Sequence, residues 1–172
     1  MAQATDELPG VAHPAYPRPM HRLRALRRIL AESSDRANPS PERIEALFQR
    51  LHRIAVVGLS RDPTKVARRV PSYLAAKGYE VVPVNPHAER IMGKQAVARL
   101  SDVEDHLDMV VVFRPSAEAG AIITEAASRP GRPAIWLQEG IRSDEEAAAA
   151  RALGRMVVQD LCTYKVHRAI FT

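Results

Sequence analysis

Apolar residues along this chain follow two different rhythms. Early on they recur at helical spacing: Leu23, Leu26, Ile29 and Leu30 mark a helix over about 20–31, and Ile44, Leu47, Phe48 and Leu51 mark a second. Asn38-Pro39-Ser40-Pro41 separates the two, with Ser40 placed as N-cap and Pro41 as the first helical residue. From Ile54 onward short apolar runs alternate with longer amphipathic stretches. The runs predict strands at 54–57, 80–84, 109–113, 134–137 and 155–158. Helices are predicted near 69–77, 116–128 and 143–153, with a short turn near 102–106. Gly78 and Gly154 stand where helices end, and Ser101-Asp102-Val103-Glu104 and Ser143-Asp144-Glu145-Glu146 match the S-x-x-E capping pattern. Pro71 is expected in the first turn of its helix, where a missing N–H costs nothing.

Five strands alternating with helices define an α/β chain, a doubly wound five-stranded parallel sheet with right-handed crossovers. Strand order 3-2-1-4-5 is expected. Residues 1–17, with Pro9, Pro14, Pro17 and Gly10 and few large apolar groups, read as a disordered tail. Residues 18–53 then form a helical extension and 54–172 the α/β domain.

Composition narrows the classes. The chain is 46% hydrophobic but only 5% aromatic, which suits helices on a parallel sheet rather than a β-sandwich. No apolar run approaches a membrane span or a signal-peptide core. A single cysteine, Cys162, excludes a disulfide framework and a thiolate zinc site, so a cytoplasmic home is expected. The net charge is +5. Residues 1–53 hold nine Arg against six acids, and the rest hold sixteen Lys plus Arg against fourteen acids. A surplus spread this way disfavours nucleic acid as the main partner. Residues 18–28, with Arg18, Arg22, Arg24, Arg27, Arg28 and His21, form the one basic cluster: a solvated helix face, or a surface for RNA, an anionic surface or a protein partner.

Candidate chemistry gathers where strands end, because an open α/β sheet binds ligands outside its carboxyl edge. After the first strand come Gly58, Leu59, Ser60 and Arg61, followed by Lys65, Arg68 and Arg69. Gly58 allows close backbone approach, and a following helix N-terminus attracts phosphate. Neither G-x-G-x-x-G nor G-x-x-x-x-G-K-[ST] is present. The second strand ends in Val84, Asn85, Pro86 and His87, without the acid that holds a free ribose diol, so a ribose phosphate suits this edge better. NADP and coenzyme A both carry one. The third ends in Phe113, Arg114, Pro115 and Ser116, with Ser116 placed as a helix N-cap and Arg114 aimed at an anion. The six histidines show no metal-ligand spacing, and no nucleophile–base constellation emerges.

The segments IAVVGLSRDPTK, GYEVVPVNP, VVVFRPSAE, IWLQEGI and VVQDLC…HR occur in the order and spacing of the small stand-alone coenzyme A-binding proteins. These are similar to the N-terminal, CoA-binding domain of the succinyl-CoA synthetase α subunit. The resemblance covers about 41–170 and implies a Rossmann-like domain holding CoA or an acyl-CoA, with pyrophosphate on the 58–65 loop. It implies the adenosine end near 84–87 and 113–116, with Gln138 and Gly140 along the pantetheine path. The family's final D-R-C-P-K-x-E-H is here Asp160-Leu161-Cys162-Thr163-Tyr164-Lys165-Val166-His167, so roles resting on its Arg or Glu are not implied. Ligase activity is not implied either, because the catalytic histidine of the large ligases lies in a further domain. Cys162 falls on the ligand edge beside Lys165 and His167, basic neighbours that favour a thiolate and a mixed disulfide with CoA under oxidation. The reading is non-catalytic CoA binding, as sensor, carrier or detached subunit. The alternatives are a small NADP-dependent oxidoreductase, and a protein or RNA interaction module built on the basic helix.

Overall fold

A computed structural model of the chain describes residues 19–172. The tail expected over 1–17, and Arg18, lie outside the described residues. In chain order the elements are α1 (Pro19–Leu30), α2 (Pro41–Arg50), β1 (Arg53–Val57), α3 (Val66–Ala76), β2 (Glu80–Val84), β3 (Arg90–Ile91) and β4 (Lys94–Gln95). A 3₁₀ turn (Leu100–Asp102), β5 (Met109–Val112), α4 (Ser116–Ser128), β6 (Ala134–Leu137), α5 (Asp144–Ala152), β7 (Val157–Val158) and α6 (Thr163–Phe171) follow.

The main sheet has five strands in the order β2-β1-β5-β6-β7, and every pairing is parallel. Counted along the chain this is 2-1-3-4-5, not the expected 3-2-1-4-5. Pro83 explains the correction. Its carbonyl faces outward from β2 and accepts the Val97 N–H at 3.0 Å, so its nitrogen faces outward too and has no proton for a further strand. The strand is therefore an edge. Its outer side is covered by an unforeseen β3–β4 hairpin and the residues just after it, through Lys94 Nζ to Val81 O at 3.2 Å and the Asn85 N–H to Val97 O bond at 2.8 Å. The third sheet strand, β5, pairs on the other side of β1 instead, with Ile54 opposite Met109.

Period-2 alternation sends side chains to two cores. Ile54, Val56, Met109, Val111, Trp136 and Val158 pack with helices α1, α2, α3 and α6. Ala55, Val110, Val112, Ile135, Leu137 and Val157 pack with α4 and α5. Leu26, Ile44, Leu47 and Phe48 belong to the first core, so the N-terminal helices share the sheet's interior. Phe48 meets Trp136 edge-on, with ring centroids 5.6 Å apart.

Local signals were obeyed unevenly. Ser40 caps α2 as expected, its Oγ accepting the Arg43 N–H at 3.4 Å with Pro41 next. α3 and α5 end before Gly78 and Gly154, which have φ of +96° and +75°. Ser143 bonds the Glu146 carboxylate without capping a backbone N–H. The 3₁₀ turn begins at Leu100, ahead of 102–106, because Asp102 rather than Ser101 closes it by accepting the Arg99 N–H at 3.0 Å. α3 begins at Val66, earlier than expected, which puts Pro71 inside the helix rather than in its first turn. α6 was not foreseen at all. Among the described residues no helix is long and apolar enough to cross a membrane.

α6 carries His167, 5% exposed, with the Tyr73 hydroxyl 2.9 Å from its Nδ1 and the Phe171, Tyr79 and Phe48 rings around it. Burial, helped by the nearby Lys77 charge, pushes its pKa down from 6.5 to about 4. The unfolded chain takes up a proton near 6.5 and the native state does not, so stability falls as pH drops from about 6.5 to about 4. The full effect is on the order of 3 kcal/mol. Urea unfolding across this window should show a falling midpoint for the natural chain and a flatter limb for His167→Gln. Parallel limbs would place the acid sensitivity in other groups.

Candidate ligand-binding site

β1 delivers the chain to Gly58, whose N–H donates to Val84 O at 3.0 Å, while the Phe113 N–H donates to Val57 O at 2.9 Å. The ends of β2, β1 and β5 are thereby pinned together. Gly58 has φ +88°, and a Cβ there would lie 2.8 Å from Arg114 Cδ and 3.0 Å from Phe113 O. Only glycine meets both demands.

The loop beyond it is held from within. The Ser60 Oγ accepts the Asp62 N–H at 3.1 Å, and Asp62 Oδ1 accepts from the Thr64 hydroxyl and N–H at 2.7 and 2.9 Å. Those Thr64 bonds hold the Asp62 carboxyl below its ordinary range. Pro71 cannot donate to the carbonyl four residues back, and that freed Ala67 O accepts the Ser60 N–H at 3.1 Å instead. The helix irregularity is thus what ties the loop to α3. Lys65, in extended conformation, precedes α3, and no side chain caps the helix N-terminus. Its first N–H groups and partial positive charge face the loop.

A cleft of about 640 Å³ opens at these strand ends. Crossovers from β1 and β5 leave toward opposite faces of the sheet, α3 on one and α4 on the other, so the cleft sits at the topological switch point. The structure brings together Gly58, Ser60, Arg61 and Lys65 with Val84, Asn85, Pro86 and His87, and with Phe113 and Arg114. Sequence reasoning missed Arg99, Leu100, Glu118, Ile122 and Glu125, which also line it. Arg99 and Leu100 arrive with the β3–β4 excursion. The Gly93 turn, at φ +72° after Met92 at +56°, was the available hint of that hairpin.

Several expected residues have other work. Leu59 is fully buried, and its carbonyl accepts from Asn85 Nδ2 at 3.0 Å. Asn85 Oδ1 accepts the His87 N–H at 2.8 Å, so this amide shapes the turn before Pro86 and joins two loops. Arg68 folds back onto Arg61 O and Ser72 Oγ, and neither it nor the exposed Arg69 lines the cleft. Arg114 grips Glu118 with two bonds of 2.7 and 2.9 Å, which hold the carboxyl below its usual range. Pro115, not Ser116, occupies the N-cap of α4, and Ser116 Oγ accepts the Arg142 N–H at 3.1 Å. By contrast Arg61, Lys65 and Arg99 make no ion pair among the described residues.

Gln138, Gly140 and Cys162 are not brought to the cleft. Gln138 is 4% exposed and Cys162 8% exposed, the latter in the core just ahead of α6. The basic neighbours expected to activate Cys162 are engaged elsewhere. Lys165 bridges Glu32 and Glu139 at 2.7 and 3.1 Å, and its pKa is raised by those bonds, while His167 is buried and neutral. Sequence reasoning also overlooked a Tyr-x-x-x-Lys spacing at Tyr73 and Lys77. Tyr73 turns to His167 and lines no part of the cleft, so it places no proton donor there. A second groove of about 760 Å³ runs along the α1–α6 seam, shares no lining residue with the cleft, and carries His21, Arg28 and Arg168.

The fold and cleft define a doubly wound α/β domain with a cleft at the carboxyl ends of its strands. Residues 52–168 match the CoA binding domain family, and the chain belongs to it. The uncharacterized protein YneT of Bacillus subtilis is 35% identical over 76% of this chain and 96% of its own. The solved structure of cell-free ID.343 from Thermus thermophilus is 37% identical, covers 76% of this chain and 98% of that one, and superposes at TM-score 0.70. An ADP-forming acetate–CoA ligase, enzyme II of Archaeoglobus fulgidus, is 26% identical over 56% of this chain but only 15% of its own length. The likeness to that enzyme is to one part of it.

Gly58→Ala should lower stability by about 1–3 kcal/mol, through its left-handed φ and the crowding against Phe113. Urea unfolding reads the loss. An unchanged midpoint would mean that the loop relaxes freely and that the turn is not tightly determined.

Proposed function

We propose that this protein binds coenzyme A or an acyl-CoA in the cleft and does not transform it, working as a cytoplasmic sensor, carrier or detached subunit. The observation that carries the reading is three cations without ion-pair partners among the described residues, Arg61, Lys65 and Arg99, lining a cleft beside an uncapped helix N-terminus at the switch point of the sheet. The pyrophosphate belongs on the 58–65 loop beside Arg61 and Lys65, where helix charge and side-chain charge add. The adenosine lies against Val84, Leu100, Phe113 and Ile122, the apolar wall of the cleft. Its ribose phosphate is met by Arg99 and His87. Arg114, the residue first expected there, is satisfied by Glu118.

Two of the three carboxylates lining the cleft support binding over catalysis, because Asp62 is committed to Thr64 and Glu118 to Arg114, which leaves Glu125 without a second free acid beside it. Titration calorimetry with CoA, dephospho-CoA, NADP and NAD tests the reading. CoA should bind well ahead of both nicotinamide cofactors, and Lys65→Ala should weaken it by about tenfold. Arg99→Ala should weaken CoA more than dephospho-CoA. NADP binding ahead of CoA would favour the oxidoreductase, and no binding at all would favour an interaction module using Arg24, Arg27 and Arg28 on α1.

A further inference from the structure

The sheet edge above β6 and β7 is built differently from the cleft. Gln138 spends both ends of its amide on Thr163: Nε2 donates to Oγ1 at 2.6 Å and Oε1 accepts the N–H at 3.0 Å. Gln159, 1% exposed, is clasped by the segment before α2. Its carbonyl accepts from Ser33 Oγ and Asn38 Nδ2 at 2.8 and 2.9 Å, and its Nε2 donates to Asp35 Oδ2 at 2.9 Å. Asp160 accepts from the Gly140 N–H at 2.6 Å and from the Ser34 N–H and hydroxyl at 2.8 and 2.6 Å. Arg151 completes the closure with a 2.8 Å bond to Asp35, whose side chain is 6% exposed. Burial pushes the Asp35 carboxyl up, but its bonds from Gln159, Arg151 and Ala37 outweigh that and hold it below its usual range. The covering residues 33–38 lie outside the family match, which begins at 52. This half of the edge is filled by the protein's own extension.

We infer that the site reads only the phosphorylated nucleotide end of its ligand and leaves the arm, with any acyl group it carries, in solvent. The inference rests on the CoA reading and adds which part of that ligand is recognised. An arm leaving the 58–65 loop across β6 and β7 would have to displace Asp35 or Ser33 and take from Arg151 its buried carboxylate partner and from Gln159 two of its hydrogen bonds. Passing over the outside of the cover, the arm meets a surface already hydrogen-bonded to itself. Across β6 and β7 the edge offers polar groups already hydrogen-bonded within the protein, Gln138, Gln159 and Asp160, rather than an apolar wall that could measure acyl length. The protein therefore treats CoA thioesters as one class, which suits a carrier or presenter better than a sensor of a particular acyl group.

Calorimetry on the full chain with CoA, acetyl-CoA, hexanoyl-CoA and the armless fragment 3′-phospho-ADP decides the matter. All four should bind within about threefold of one another. CoA binding accompanied by a loss of about tenfold for the fragment, or a tenfold spread among the thioesters, overturns this inference and leaves the CoA reading standing. Failure of all four to bind removes the CoA reading and this inference with it. A second readout follows the thiol of bound CoA on Cys162→Ser protein, using a water-soluble disulfide reagent. Reaction within about twofold of the rate for free CoA supports an arm in solvent, and slowing by about tenfold overturns it.

Discussion

The arrangement depends on one backbone approach, at Gly58. Its N–H reaches the end of β2 and its Cα lies against the Phe113 peptide at the end of β5, in a space that no side chain fits. Three strand ends are held at one point, and the loop and helix that follow inherit their positions from it. Pro71 supplies the second constraint. By lacking an N–H it frees Ala67 O to take the Ser60 N–H, so the loop is fastened to the helix whose N-terminus it faces. A residue usually read as a helix defect here sets the geometry of the loop that borders the cleft.

Charge in the cleft is arranged by the same economy. Most arginines near the ends of the sheet are tied up: Arg114 by Glu118, Arg151 by Asp35, Arg142 by Asp144, and Arg68 by its own loop. Among the described residues, the cations left without ion pairs at the cleft are Arg61, Lys65 and Arg99. The opposite half of the edge is closed by a buried polar network joining residues 33–38 to Gln159 and Asp160. The extension thus serves two physical roles. Leu26, Ile44 and Phe48 complete one face of the core, and the segment between the helices satisfies polar groups that an open sheet edge would leave to solvent or ligand.

Much of this was legible before any coordinates. Apolar runs located all five sheet strands, because a strand buried on both faces must be continuously apolar. The residues gathered at the cleft were legible from strand ends, since the fold class dictates where an open sheet binds. Strand order was legible in principle from Pro83, which cannot serve a central strand. Arg99 was out of reach because its place depends on a two-residue hairpin too short to show a period. Gln138 and Cys162 look like edge residues in one dimension, and nothing local says that Thr163 will take up the Gln138 amide or that Cys162 will turn into the core.

By itself, then, the sequence determined the alternation of elements, the glycine turn, the absence of an acid at the second strand end and the basic character of the first loop. These follow from periodicity and from what single residues allow their own backbone to do. Only the tertiary structure decided which cations stay unpaired and which half of the edge remains open. Those outcomes depend on partners such as Glu118 for Arg114, four residues away, and Asp35 for Gln159, more than a hundred away. Pairing is a property of distance in space, which the linear order of residues does not carry.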